Sequence, residues 1–415
     1  MNHFKYSNSV LTNLIITSII PFLIWGPFFP DLIVSISALF FLFYLFKKKN
    51  FYLFNNKPLI IFFTFCFYCI LLSVFVAEDI MLSLESSLFY FRIGVFTCLI
   101  WYLINKNKSI LTFFYYALVL CFLVLVIDGF TQYFTGVNLS GFKISGSRVS
   151  SFFGDELIMG SYLSRLFPLL FALFLIKKKQ KYEIYFIGLL FILVDVLIFI
   201  SGERAAFFFL NLSTLFVIIL INNYQKFRII TFIIAIVCVL ILTLNSSKLN
   251  ERMFKGPAED MGIVKSSKKA VIFTSFHDSL IRTAYKMFED QPILGHGPKM
   301  FRIICKDEKY ATGNLSCMTH PHNFYIQLLA ETGIVGFLFL FSALLYVIIT
   351  ALKQFKSIIF RENRPLTDYQ VCLLSGILIT VWPLAPNGNF FNNWLMITYS
   401  LPVGFYLQSV YSKKG

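Results

Sequence analysis

His320-Pro321-His322-Asn323 places two imidazoles just before an apolar run that continues through Gly333-Ile334-Val335-Gly336. An imidazole titrates near neutral pH, so His322 at a loop-to-helix junction is suited to removing a proton from a hydroxyl group. His320 and Asn323 beside it are candidate substrate contacts. The blander reading makes His322 a helix cap bonded to a loop carbonyl. As a metal pair, His320 and His322 lack a Cys or carboxylate at ligand spacing, so no metal site is expected. On an unbroken helix the eleven residues from His322 to Gly333 make close to three turns, which would put both on one face.

Arginines supply the complementary chemistry. Arg204, in Ser201-Gly202-Glu203-Arg204-Ala205-Ala206, lies at a polar break between two apolar runs. Its permanently charged planar fork can bind two oxygens of a diphosphate, unless it snorkels to headgroups of membrane lipid or pairs with Glu203. Arg148, in Arg148-Val149-Ser150-Ser151-Phe152-Phe153-Gly154, is either a contact for glycan or phosphate or a solvated loop charge. Arg282 precedes Pro292-Ile293-Leu294-Gly295-His296-Gly297-Pro298, where Gly-x-Gly reads as a turn and His296 as incidental. Arg92 and Arg165 sit within or near apolar spans, where an ionisable group is costly and marks a pathway or partner unless it snorkels.

The elements that must position these groups belong to a membrane. Of 415 residues, 58% are hydrophobic and 14% charged, with a mean hydropathy of +0.75, far from a water-soluble composition. Apolar runs near 9–26, 28–46, 58–77, 84–104, 109–134, 157–176, 182–200, 204–221, 228–246, 322–352, 366–386 and 392–411 predict about twelve transmembrane helices. Without internal repeats or low-complexity linkers, 1–415 reads as one all-α polytopic membrane domain. It carries a smaller loop over 135–156 and a large, partly helical loop over 246–321.

A net charge of +15 would suggest nucleic acid in a soluble protein, but its distribution argues for membrane orientation and no nucleic-acid partner. Lys47 to Lys49, Lys106 with Lys108, Lys177 to Lys181, Lys226 with Arg228, Lys353 to Arg364, and Lys413 with Lys414 cluster in alternate gaps. Gly26 to Pro30 and Pro386 to Asn392 have no Lys or Arg. This asymmetry predicts cytoplasmic termini and two long loops outside. The N-terminal run fits the alternation as a retained first span rather than a signal peptide. Cys305 and Cys317 share the large loop, where a disulfide and two free thiols are both allowed. In that loop Asp278 to Gln291 predicts a helix, with Ile281, Ala284, Tyr285 and Phe288 as its stripe, Asp278 or Ser279 as cap and Arg282 on its flank. Lys255 to Lys269 shows no clear period.

Three segments in order resemble the O-antigen ligase and O-antigen polymerase superfamily of bacterial lipid-linked glycan transferases. They are Ser201-Gly202-Glu203-Arg204, with Ala205 where the family has glycine; Arg282 followed by Gly295-His296-Gly297; and His322-Asn323 followed by Gly333-x-x-Gly336. The resemblance implies a GT-C-like fold in the bacterial inner membrane, with a periplasmic active site. It implies transfer of a glycan from undecaprenyl diphosphate to an acceptor hydroxyl, with His322 as base and Arg204 and Arg282 as diphosphate clamps. The implied reaction is inverting and metal-independent. The outer loops contain no Asp-x-Asp pair, the chain has no nucleotide-binding motif, and no cofactor is expected. The His-Asn-to-glycine spacing favours an O-antigen ligase, which joins O-antigen to lipid A-core in lipopolysaccharide biosynthesis. An O-antigen or exopolysaccharide polymerase, which extends a growing glycan, shares the same elements. A transporter or flippase is the alternative of another class, although paired broken helices and internal symmetry are missing from the sequence.

Overall fold

A backbone that crosses hydrocarbon must satisfy its own polar groups, so uncharged apolar runs of sufficient length become helices. The computed structural model describes residues 2–146, 148–177, 182–263 and 271–412. Among them the regular structure is helical, apart from the isolated bridges Val137 to Lys143 and Ser145 to Arg148. In chain order the helices are α1 (Asn2–Thr17), α2 (Ile19–Trp25), α3 (Phe28–Lys48), α4 (Lys57–Phe75), α5 (Ile80–Ser87), α6 (Phe91–Lys106) and α7 (Ser109–Thr135). Next come α8 (Met159–Ile176), α9 (Glu183–Ile200), α10 (Arg204–Leu220), α11 (Gln225–Asn245), and the short α12 (Ser247–Asn250) and α13 (Gly256–Asp260). The large loop continues with α14 (Ser275–Asp290) and α15 (Phe301–Ile304), and the chain ends with α16 (Phe324–Ile359), α17 (Asp368–Thr380) and α18 (Asn393–Tyr411).

Among the described residues eight helices are long and apolar enough to cross a membrane, and shorter apolar helices lie at Val10–Trp25, Arg204–Leu220 and Asp368–Thr380. With α18 they fill the dozen positions expected. The protein is a polytopic all-α membrane protein. Phe40, Phe43, Phe75 and Leu244 project unpartnered from their helices, as side chains facing lipid should. Inside the bundle α6 packs on α3 and α18, and α8 on α10 and α17. Lys178 to Lys181, Lys413 with Lys414, and residues 264–269 of the Lys255 to Lys269 stretch lie outside the described residues.

Two helices depart from their expected course. α17 stops at Thr380, short of residue 386, because Pro383 and Pro386 cannot continue the hydrogen-bond ladder. Residues 381–392 instead form an irregular segment between α17 and α18, and side chains satisfy its backbone. Tyr325 donates to the Val381 carbonyl at 2.5 Å, Asn323 to that of Pro383 at 2.8 Å, and Gln327 accepts from Phe390 N–H at 2.9 Å.

α16 is broken at Gly333 (φ 63°, ψ −163°), so the expected common face of His322 and Gly333 does not form. The turn at 292–297 supplies the bonds the break removes. His296 N–H donates to the Ala330 carbonyl at 3.0 Å, Gly297 N–H to that of Glu331 at 2.8 Å, and Ile334 N–H to that of Pro292 at 2.9 Å. The Gly-x-Gly turn and Gly333 are thus two halves of one joint. A side chain at Gly333 would collide with the Ile293 carbonyl. Gly333→Ala is therefore expected to destabilise the protein by about 2 kcal/mol or more, read as a lower thermal midpoint in detergent. An unchanged midpoint would show that the joint contributes nothing to stability.

Candidate active site

Polar groups in α7 hold the first loop. Asp128 accepts from Leu139 N–H at 2.8 Å and Ser151 Oγ at 2.5 Å. Gln132 accepts from the N–H groups of Ser150 and Ser151 at 2.9 and 2.7 Å. These buried clamps carry Arg148 to the break between α9 and α10. There its Nε donates to the Ser201 carbonyl at 3.3 Å and its Nη2 to that of Leu157 at 3.1 Å.

At that break Gly202 takes φ 68° and Ala205 already lies inside α10, so the family's glycine is not needed at position 205. Glu203 is not Arg204's partner. Its carboxylate caps α8, accepting from Gly160 N–H at 2.6 Å and Ser161 N–H at 3.0 Å. Arg204 makes no hydrogen bond or ion pair among the described residues. Arg252, in the π-turn Glu251–Lys255, approaches from the other side and donates to the Gly202 carbonyl at 3.4 Å. The charges of Arg148, Arg204 and Arg252 repel one another, opposed by Asp260 and Glu203. Burial and Arg252 push the Arg148 guanidinium below its usual range, while Glu203 pulls it back. Three guanidiniums so placed favour an anion between them.

The first turn of α14 brings in His277, which lies near enough to Arg204 for its proton affinity to fall. Its Nδ1 bonds Thr274 Oγ at 2.7 Å, and its ring stands edge-on to His322, 5.5 Å between centroids. The His320 ring lies 4.1 Å from that of His322, centroid to centroid. Its Nδ1 bonds Thr319 Oγ at 2.9 Å, and its buried Nε2 has no partner among the described residues. Burial lowers all three imidazoles, His277 to about 4 and His320 to about 3, with further lowering by His322 and by nearby Arg204 and Arg302. These shifts favour the neutral form of each imidazole, the form able to accept a proton. Among the described residues no three of His, Cys, Asp and Glu are arranged to hold a metal ion.

His322 occupies φ 56°, a conformation costing on the order of 1 kcal/mol that persists only where the surroundings impose it. Asn323 is committed to structure. Its Oδ1 caps α16 by accepting from Tyr325 and Ile326 N–H, while its Nδ2 holds Pro383. Both polar atoms of its side chain are engaged in these bonds. Below Phe324 and Phe390 an apolar cavity of about 590 Å³ opens between α4, α6, α16, α17 and α18, lined also by Phe62, Phe339, Tyr346 and Tyr406.

Arg282 is placed differently from the other expected arginines. α14 buries Leu280, Thr283, Ala284 and Met287 against Phe301, Cys305 and Ala330, not the stripe expected from Ile281, Tyr285 and Phe288. The helix carries two overlapping apolar stripes, and only packing selects between them. It begins at Ser275, directly after Thr274, and not behind Asp278 or Ser279. Arg282 therefore lies on the exposed side, bonded to Asp278 at 2.5 Å. The loop is tied further by a disulfide between Cys305 and Cys317, Cα atoms 5.1 Å apart.

His277, Arg252 and Arg302 were missed in the sequence. His277 fell one residue before the helix expected from Asp278, and Arg252 lay between the run ending near 246 and the stretch from Lys255, where no motif was read. In each case a charged or titratable residue in the large loop was the only available signal.

Residues 188–341 match the family described as O-Antigen ligase. That interval contains Arg204, Arg252, His277, Arg282, His320 and His322, whereas Arg148 precedes it. No curated protein matches the chain.

Proposed function

We propose, on the match of residues 188–341 to the O-antigen ligase family, that this protein transfers a glycan from undecaprenyl diphosphate to an acceptor hydroxyl, lipid A-core in the ligase form. The reaction takes place at the periplasmic face of the inner membrane, with both termini cytoplasmic. The observation that carries this reading is the meeting of an anion-seeking arginine cluster with a neutral histidine cluster at one end of the bundle.

Arg204, flanked by Arg148 and Arg252, holds the diphosphate. Arg282 is a second clamp: its helix-surface pair with Asp278 contributes only about 0.5 kcal/mol, so a diphosphate can displace it. His322 takes the acceptor hydroxyl's proton as that oxygen bonds the anomeric carbon. The carbon–oxygen bond to phosphate breaks with inversion, and its electron pair leaves on the diphosphate, where the guanidiniums offset the charge. His320 lines the sugar side of His322. The cavity beneath Phe324 accepts a hydrocarbon chain of the lipid-borne substrate. The chemistry needs neither metal nor cofactor.

Purified protein given lipid-linked O-antigen and lipid A-core should form a new glycosidic bond with chelator present. Movement of lipid without bond formation would identify a transporter and overturn the proposal. Gene deletion separates the two transferases. Bare core with accumulated lipid-linked polymer marks a ligase, whereas core capped by a single repeat marks a polymerase.

A further inference from the structure

Arg165 is 4% exposed within α8 and has no carboxylate partner among the described residues. A cation at such depth costs roughly 3 kcal/mol on insertion scales, so its contacts indicate what it is retained for. Its guanidinium lies 4.0 Å over the Phe209 ring and 4.7 Å over that of Tyr399. One nitrogen donates to the Ile379 carbonyl at the end of α17, and Nη2 donates to Asn387 Oδ1 at 3.0 Å. One bond thus holds the last turn of α17 and the other the irregular segment that follows it. Asn387 in turn donates its N–H to the His322 carbonyl at 2.8 Å. Its backbone also lies against the His322 and His320 rings, in the sense that favours a bound proton.

We propose that Arg165 is a positioning residue for His322. By fixing the Asn387 side chain it holds the backbone that keeps His322 in its left-handed conformation and orients the imidazole, leaving one ring nitrogen directed at the acceptor. A planar fork suits this role because it serves two fixed acceptors at once, which a lysine cannot. The proposal rests on the reading of His322 as the base and adds the device that aims it.

The test uses the full-length protein in detergent and the glycan-transfer assay, with Arg165→Lys, Asn387→Ala and the double variant. Each single variant should lower kcat by about 10- to 100-fold, with the KM for lipid-linked donor within about threefold of the parent. The double variant should be no slower than the slower single one, since both break the same link. The acid limb of the kcat profile should move to lower pH, because a loosened Asn387 backbone no longer favours a proton on His322. Multiplying losses, an unshifted limb or a raised KM with unchanged kcat would overturn the proposal. If Arg165→Lys does not remain monodisperse, Asn387→Ala and its pH limb decide alone. An active His322→Gln variant would remove the base assignment itself. An inactive one beside a normal Asn387→Ala would remove only the role of Arg165.

Discussion

Replacing His322 with glutamine is expected to lower kcat by about 100- to 10,000-fold, the range for loss of a general base. Glutamine is similar in size and leaves the Asn323 cap and the Asn387 bond to the backbone in place, but it cannot accept the proton. A purely structural cap at this position would leave transfer nearly intact. The pH profile supplies an independent check. Burial lowers the proton affinity of His322, partly opposed by the Asn387 backbone. Its facing groups are His277 and His320, with Arg204, Arg302 and Asp260 acting on those two neighbours. A base works when neutral, and a lowered pKa keeps it neutral to lower pH. Activity should therefore persist as pH falls through about 6.5, the ordinary imidazole value, and decline only in more acid solution. An acid limb at or above that value would remove His322 from the role.

Arg204→Ala should produce the second large effect, a loss of about 100- to 1,000-fold in kcat, as when a preorganised donor to developing charge is removed. The size follows from the site: Arg204 has no hydrogen-bonding partner among the described residues, whereas Arg148 and Arg252 each spend bonds on backbone carbonyls. Arg204→Lys keeps the charge but loses the fork, and should recover part of the rate. Direct binding of an isoprenoid diphosphate, measured beside the transfer rate, distinguishes loss of grip from loss of fold. Full activity in Arg204→Ala would mean that the anion sits elsewhere.

Some of this protein could be read from local features alone. Hydropathy and the alternation of Lys and Arg depend only on neighbouring residues, and they sufficed for the membrane class and the helix positions. Arg204 stood out because it interrupts two apolar runs, whereas His322 and Arg148 lie at or within polar loops and were singled out by the motifs around them. Position around α14 was different, since two apolar stripes overlap there and only contact with Phe301 and Ala330 selects the buried one.

The amino-acid sequence by itself determined the membrane class, the positions of the apolar helices and the candidate reactive groups, because transfer of side chains from water to hydrocarbon is a local free energy. Tertiary structure alone decided that Gly333 and the 292–297 turn form one joint, that His277 faces His322, and that Arg252 joins Arg204. It also decided that Arg165 reaches His322 through Asn387. Those contacts join segments distant along the chain and arise only when packing and backbone hydrogen bonding are satisfied together, a condition that no local period encodes.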